Sequence, residues 1–273
     1  MAETTTGSAA TLPRLLLRER VVIWGAVAGV TLVAWLYLVL FDGGMPDMAA
    51  MPTGGMASGG MAGMPMPAMA WTPALFALTF AMWAVMMIGM MLPSAAPMIL
   101  TFAALHKREA AVRDRILPTL LFASGYLLVW TAFSAAATAL QWALDELALL
   151  SPMMSASSAL LGGALFVAAG IYQLTPLKQA CLAHCRSPFA FLFNRWRDGA
   201  GGALAMGIEH GAFCLGCCWL LMALLFAVGV MNLLWVAALA LFVFAEKLIP
   251  GGVWVARVSG VAMVGYGVWL AVG

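Results

Sequence analysis

Residues 207–219 read GIEHGAFCLGCCW. On a helix, at roughly 100° per residue, Met206, His210, Cys214 and Cys217 fall within about 80° of one another, and Cys218 lies just beside that stripe. One helix face therefore offers a thioether, an imidazole and three thiols. These donor types bind soft or borderline metals such as Cu(I) and Zn(II). Cys and Met are also ordinary packing residues in apolar interiors, so sulfur alone decides nothing. His210 and its flanking neighbour Glu209 weigh more. They sit in an apolar run from about Ala203 to Val228 that is long enough to cross a bilayer. An ionisable group at that depth is costly and normally has a partner or a task.

A second ligand group is CLAHC, which contains Cys181, His184 and Cys185. The i, i+3, i+4 spacing puts all three on one face of a helix. The C-x-x-C-H order of covalent haem attachment is absent. All five cysteines of the chain lie in these two short clusters rather than being scattered. A site built from Cys181, Cys185, Cys214 and Cys217 requires this segment, read as a cytoplasmic loop, to fold back under the thiol-bearing helix.

Methionine supplies the third group. Met86, Met87, Met90 and Met91 lie in an apolar run from about Pro73 to Leu92, and Pro93 and Pro97 follow. Met82, Met86 and Met90 form one helical stripe, with Met87 and Met91 in a second beside it. The prolines are expected to end or kink this helix and to free carbonyls just past the methionines. Before it, residues 42–71 form a Gly/Ala/Pro-rich stretch with Met45, Met48, Met51, Met56, Met61, Met64, Met66 and Met69. Such a composition builds no core and is expected to be disordered. Its thioethers form a flexible ligand chain suited to capturing Cu(I).

The elements that must position these groups are membrane helices. The chain has 273 residues, 64% of them hydrophobic and 9% charged, which excludes an ordinary soluble domain. The expected fold is all-α: a polytopic transmembrane bundle of about seven helices, or six if the short one near residues 233–245 does not cross. Residues 1–20 make an N-terminal segment with Arg14, Arg18 and Arg20, placed in the cytoplasm by the positive-inside rule. Residues 21–41 form the first transmembrane helix, 42–71 the Met-rich periplasmic loop, and 72–273 a six-helix domain carrying the metal site. Basic loops at His106 to Arg115 and at Lys178 to Arg197 fall on the cytoplasmic side in this topology. Glu246, Lys247 and Pro250 read as a cytoplasmic turn. Glu209 is expected to pair with Arg257, because an unpaired charge there would be expensive.

The combination of MMIGMMLPSAAP, CLAHC and GIEHGAFCLGCCW resembles a bacterial family of predicted metal-binding integral membrane proteins. The resemblance covers roughly residues 72–250 and implies a polytopic fold and a metal site, without an assigned activity. It points to Met86, Met87, Met90, Met91, Cys181, Cys185, Glu209, His210, Cys214, Cys217 and Cys218. The expected function is handling of Cu(I) in the bacterial inner membrane by uptake, transfer or delivery, with a copper chaperone or metalloenzyme as partner. Zinc or no metal are the alternatives to copper. Cys214-x-x-Cys217 also has redox-pair spacing, so a membrane thiol-redox or haem-linked protein is a second reading. A structural subunit without metal is a third. No Ser/His/Asp set, P-loop, dinucleotide fingerprint or nucleic-acid-binding patch is present, and no enzymatic activity is expected.

Overall fold

The computed structural model describes residues 11–43, 71–106, 113–150, 156–249 and 251–272. These residues form helices α1 (Thr11–Gly43), α2 (Pro73–His106), α3 (Arg113–Glu146), α4 (Ala159–Leu174), α5 (Pro176–Arg186), α6 (Pro188–Arg195), α7 (Gly199–Ala223), α8 (Leu225–Val228), α9 (Leu233–Leu248) and α10 (Gly252–Val272). The fold is an all-α bundle. The segment holding Met45 to Met69 lies outside the described residues.

Spans Arg20–Leu40, Pro73–Leu105, Ile116–Glu146, Gly199–Val228 and Gly252–Val272 are each long and apolar enough to cross a membrane. A sixth arises if α4 and α5, bent by 66° at their junction, count as one broken span. The expected seven also counts α9, which has only 16 residues. The bundle's exterior is apolar: Leu32, Val33, Leu120, Leu241, Val258 and Trp269 are all exposed. That surface suits lipid, which makes no demand for polar groups on the outside.

Local sequence explains where these helices start and bend. Thr175 closes α4 and opens α5, its hydroxyl accepting from the Lys178 N–H, and Pro176 occupies the first turn. Proline has no N–H to continue α4 but fits the start of a new helix, so the axis turns there. Asn232 caps α9 in the same way, accepting from the Trp235 N–H. The prolines of α2 do not end the helix. Pro93 and Pro97 lie inside one helix, which runs on to His106. Hydroxyl donors cover carbonyls along this stretch: Ser94 and Tyr126 donate to the Met91 carbonyl, and Thr101 donates to that of Pro97. The carbonyls that Pro93 and Pro97 themselves leave without an amide partner are those of Gly89 and Pro93, four residues back.

Two long pairings organise the core: α4 runs along α10, and α3 runs along α7. Both are made by glycine. A Cβ on Gly207 of α7 would run into the Phe122 carbonyl of α3, and one on Gly125 of α3 into the Leu204 carbonyl of α7. Across the other pair, a Cβ on Gly170 would lie 2.6 Å from the Gly260 carbonyl oxygen. Small residues at these points bring helix backbones into direct contact, the usual means of association in lipid. Helix α2 packs against α3, α1 and α9, whereas α5 packs against α7.

Candidate metal centre

The face of α7 read from the sequence points inward. Met206, His210, Cys214, Cys217 and Cys218 are all buried. Because α3 lies so close at Gly207 and Gly211, its Tyr126 reaches this face. The Tyr126 hydroxyl is 3.0 Å from the Met91 carbonyl oxygen and 3.1 Å from Cys214 Sγ. One phenol thus joins α2 to the thiols of α7 and puts Met91 and Cys214 at one level.

The CLAHC segment is α5, a helix against α7 rather than a solvated loop. Gly216 allows the approach: a Cβ there would lie 2.9 Å from Cys181 Sγ. The Cys185 thiol lies beside those of Cys214 and Cys217, and the Cys218 thiol is next to both as well. The Cys217 and Cys218 sulfurs additionally lie 3.0 Å from the Cys214 carbonyl oxygen. Thiols from two helices that are distant in sequence therefore meet in one cluster: the buried Cys214, Cys217 and Cys218 with the half-buried Cys185. Cys181 stands at its edge beside Gly216. All five cysteines are free. Among the described residues, no three or more His, Cys, Asp or Glu groups have the geometry for holding a metal ion.

Two histidines are placed differently. His210 sits among aromatic rings, its centroid 5.5 Å from Tyr126, 6.1 Å from Phe122 and 5.6 Å from Phe191. Its Nδ1 is buried without a hydrogen-bond partner, which is uncommon and calls for an explanation. His184 lies flat on Phe213 at 4.1 Å, with Nδ1 2.9 Å from the Ala180 carbonyl oxygen. Met86, Met87, Met90 and Met91 are buried in the core. Met90 lines a 380 Å³ groove with Thr31, Trp35, Gly89 and Phe244, an apolar setting between α1, α2 and α9.

Several charges are not where the sequence suggested. Glu209 does not meet Arg257. It pairs with Arg195 and Arg197 at the end of α6, while the Arg257 guanidinium lies 5.5 Å over the Trp254 ring. The short stretch between α6 and α7 brings those arginines back over α7, so Glu209 finds partners nearby. Glu246 and Lys247 do not form a solvated turn, because both are buried. Glu246 receives Lys178 at 2.8 Å and Gln173 at 2.9 Å. Lys178, expected in a basic loop, is fully buried by this pair. Lys247 Nζ donates to Ser94 Oγ at 2.8 Å and to Cys214 Sγ at 2.9 Å. Sequence reasoning missed Tyr126, Ser94 and Lys247 as neighbours of the thiols. The one available hint was an adjacent Glu–Lys at the end of an apolar run.

The profile of the copper chaperone family PpoB2 matches residues 80–270, more than two thirds of the chain. The chain belongs to this copper chaperone family. The matched region includes α3 to α9 whole and the Met-bearing part of α2, and so contains every residue of the thiol cluster. No curated protein and no solved structure is significantly similar to the chain. Copper is then the cargo against which the donors are judged. Thiols and an imidazole nitrogen are soft or borderline donor types, which Cu(I) prefers over carboxylates and water.

Proposed function

We propose that the chain is a multi-pass protein of the bacterial inner membrane that binds Cu(I) at Cys185, Cys214, Cys217 and Cys218 and hands it to a partner chaperone or metalloenzyme. The observation that carries this reading is the meeting of α5 and α7 thiols in one cluster, within a chain of a copper chaperone family. Thiols already gathered in one place need side-chain rotation rather than helix movement to bring their sulfurs onto a shared ion. Metal binding would displace their protons, as thiolate ligation requires. His210, through its open Nδ1, is the nearest imidazole on the same helix face and a candidate further ligand. Cys181, at the cluster's edge, is a candidate exchange ligand on the way in or out.

The remaining parts take roles in the same scheme. Residues 1–20 lie in the cytoplasm, and residues 21–41 anchor the chain. Residues 42–71, with Met45 to Met69, collect Cu(I) on the periplasmic side. Residues 72–273 carry the ion inward past Met86, Met87, Met90, Met91 and Met206. Passage from thioether to thiolate donors gives direction, because thiolates hold Cu(I) more strongly.

The test is element analysis of full-length protein purified in detergent under reducing conditions. Stoichiometric copper is expected in the parent chain. Cys214→Ser combined with Cys217→Ser is expected to lose most of it while the helix content stays unchanged. Retention of full copper by that variant would remove the cluster as the binding site.

A further inference from the structure

The adjacent residues Glu246 and Lys247 of α9 turn to different neighbours. Glu246 is matched by Lys178 and Gln173. The described partners of Lys247 are a hydroxyl and a thiol, with no carboxylate. Its ammonium is buried and held from two sides, by Ser94 of α2 and by Cys214 of α7. Ser94 is itself fixed, since its hydroxyl donates to the Met91 carbonyl at 2.8 Å. A positive charge in such a setting is compensated by little besides sulfur. Buried charges of this kind mark function by default.

Resting on the copper reading above, we infer that Lys247 determines which ions the thiol cluster accepts, by favouring monovalent soft cations over divalent ones. A cation bound to Cys214 lies within a few ångströms of Nζ, and the two repel. The repulsion scales with the ion's charge, so a divalent ion suffers twice the penalty of a monovalent one at the same place. This difference does not depend on how many thiols bind, provided both ions use the same set. Solvent is excluded, so the repulsion is weakly screened and amounts to a discrimination of about tenfold or more. The thiols supply softness, which Zn(II) and Cd(II) also satisfy. The lysine supplies the charge filter that softness lacks. Its accepted class is Cu(I) and Ag(I), and its rejected class is Zn(II) and Cd(II).

Ag(I) and Cd(II) are suitable probes, because both are thiophilic, neither changes oxidation state under the conditions, and they differ in charge. Each is titrated into reduced full-length protein in detergent against a chromophoric chelator, and the ratio of the two dissociation constants is read. Lys247→Met removes the charge at similar length and is expected to shift the ratio toward Cd(II) by about tenfold or more. Lys247→Arg keeps the charge and is expected to hold the ratio near that of the parent. A merely structural role would weaken both ions together and leave the ratio in place. An unchanged ratio in Lys247→Met, or an equal shift in Lys247→Arg, would overturn the inference. If Lys247→Met does not yield folded protein, Lys247→Gln reads the same ratio with the charge removed and a polar group left to meet Ser94. A shift toward Cd(II) is then expected, and none would count against the filter. A parent chain that binds neither ion would mark failure of the copper reading, and the inference would fall with it. A parent chain that binds both ions, with a ratio indifferent to residue 247, would mark failure of the filter alone.

Discussion

Cys214 is met by an ammonium, a phenol and three other thiols. A sulfur in such company is not merely filling apolar space, whereas Met90 lines an apolar groove with Trp35 and Phe244. His210 stands between these cases. Its ring is packed among Phe122, Tyr126 and Phe191, and its Nδ1 bonds to nothing. The two roles separate cleanly in one variant. His210→Phe keeps an aromatic ring in the same setting and removes no hydrogen bond at Nδ1. Its thermal midpoint in detergent is expected to stay within a few degrees of the parent, because volume-conserving swaps cost little, about 1.5 kcal/mol or less. Its Cu(I) affinity, read by chelator competition, is expected to fall about tenfold or more for loss of one ligand. Unchanged affinity would assign the imidazole to packing.

At the scale of helices, the site depends on how closely α3 and α7 approach. Gly207 and Gly125 set that distance, and Tyr126 reaches Cys214 only because of it. Gly207→Leu is expected to destabilise the bundle by at least about 1–3 kcal/mol, the usual cost of overpacking, since backbone rather than a movable side chain lies opposite. Copper retention should fall in the same variant, whereas leucine at Gly265, whose Cβ position is open, should change neither quantity. Thermal unfolding and metal content of the two proteins check this pair of outcomes.

The inward face of α7 was legible because four of its residues obey helical spacing, and spacing is local information. CLAHC was legible as a ligand group for the same reason. Its docking on α7 was not, since that rests on Gly216 meeting Cys181, a contact 35 positions apart that no periodicity encodes. Glu246 and Lys247 looked like a cytoplasmic turn because charges beside Pro250 at the end of an apolar run usually are. Their actual partners, Lys178 and Cys214, lie on other helices. Likewise Pro93 and Pro97 were expected to end or kink α2, and the helix runs through both to His106.

The whole bundle has an apolar exterior and a polar thread inside it. That thread runs from Ser259 and Gln173 through Glu246 to Lys178, and from Lys247 to Ser94, Cys214 and Tyr126. The Lys178–Glu246 pair ties the thiol-bearing α5 to α9. Breaking a buried pair by deleting one partner strands the other charge, at a cost of about 3–5 kcal/mol. Lys178→Met is therefore expected to lower the thermal midpoint strongly. Lys178→Met with Glu246→Leu, which removes both charges, is expected to recover much of that loss. Thermal melts of the single and double variants in detergent make the comparison, and equal melting of the two would show that the pair is not energetically coupled.

The split loyalties of Glu246 and Lys247 also fix α9 in rotation. Consecutive helical residues point about 100° apart, and here each of two neighbours is engaged on a different side of the helix axis. An insertion or deletion of one residue between Asn232 and Glu246 would swing both charges off their partners at once. Helix α9 therefore tolerates exchange of its exposed side chains far better than any change in its length.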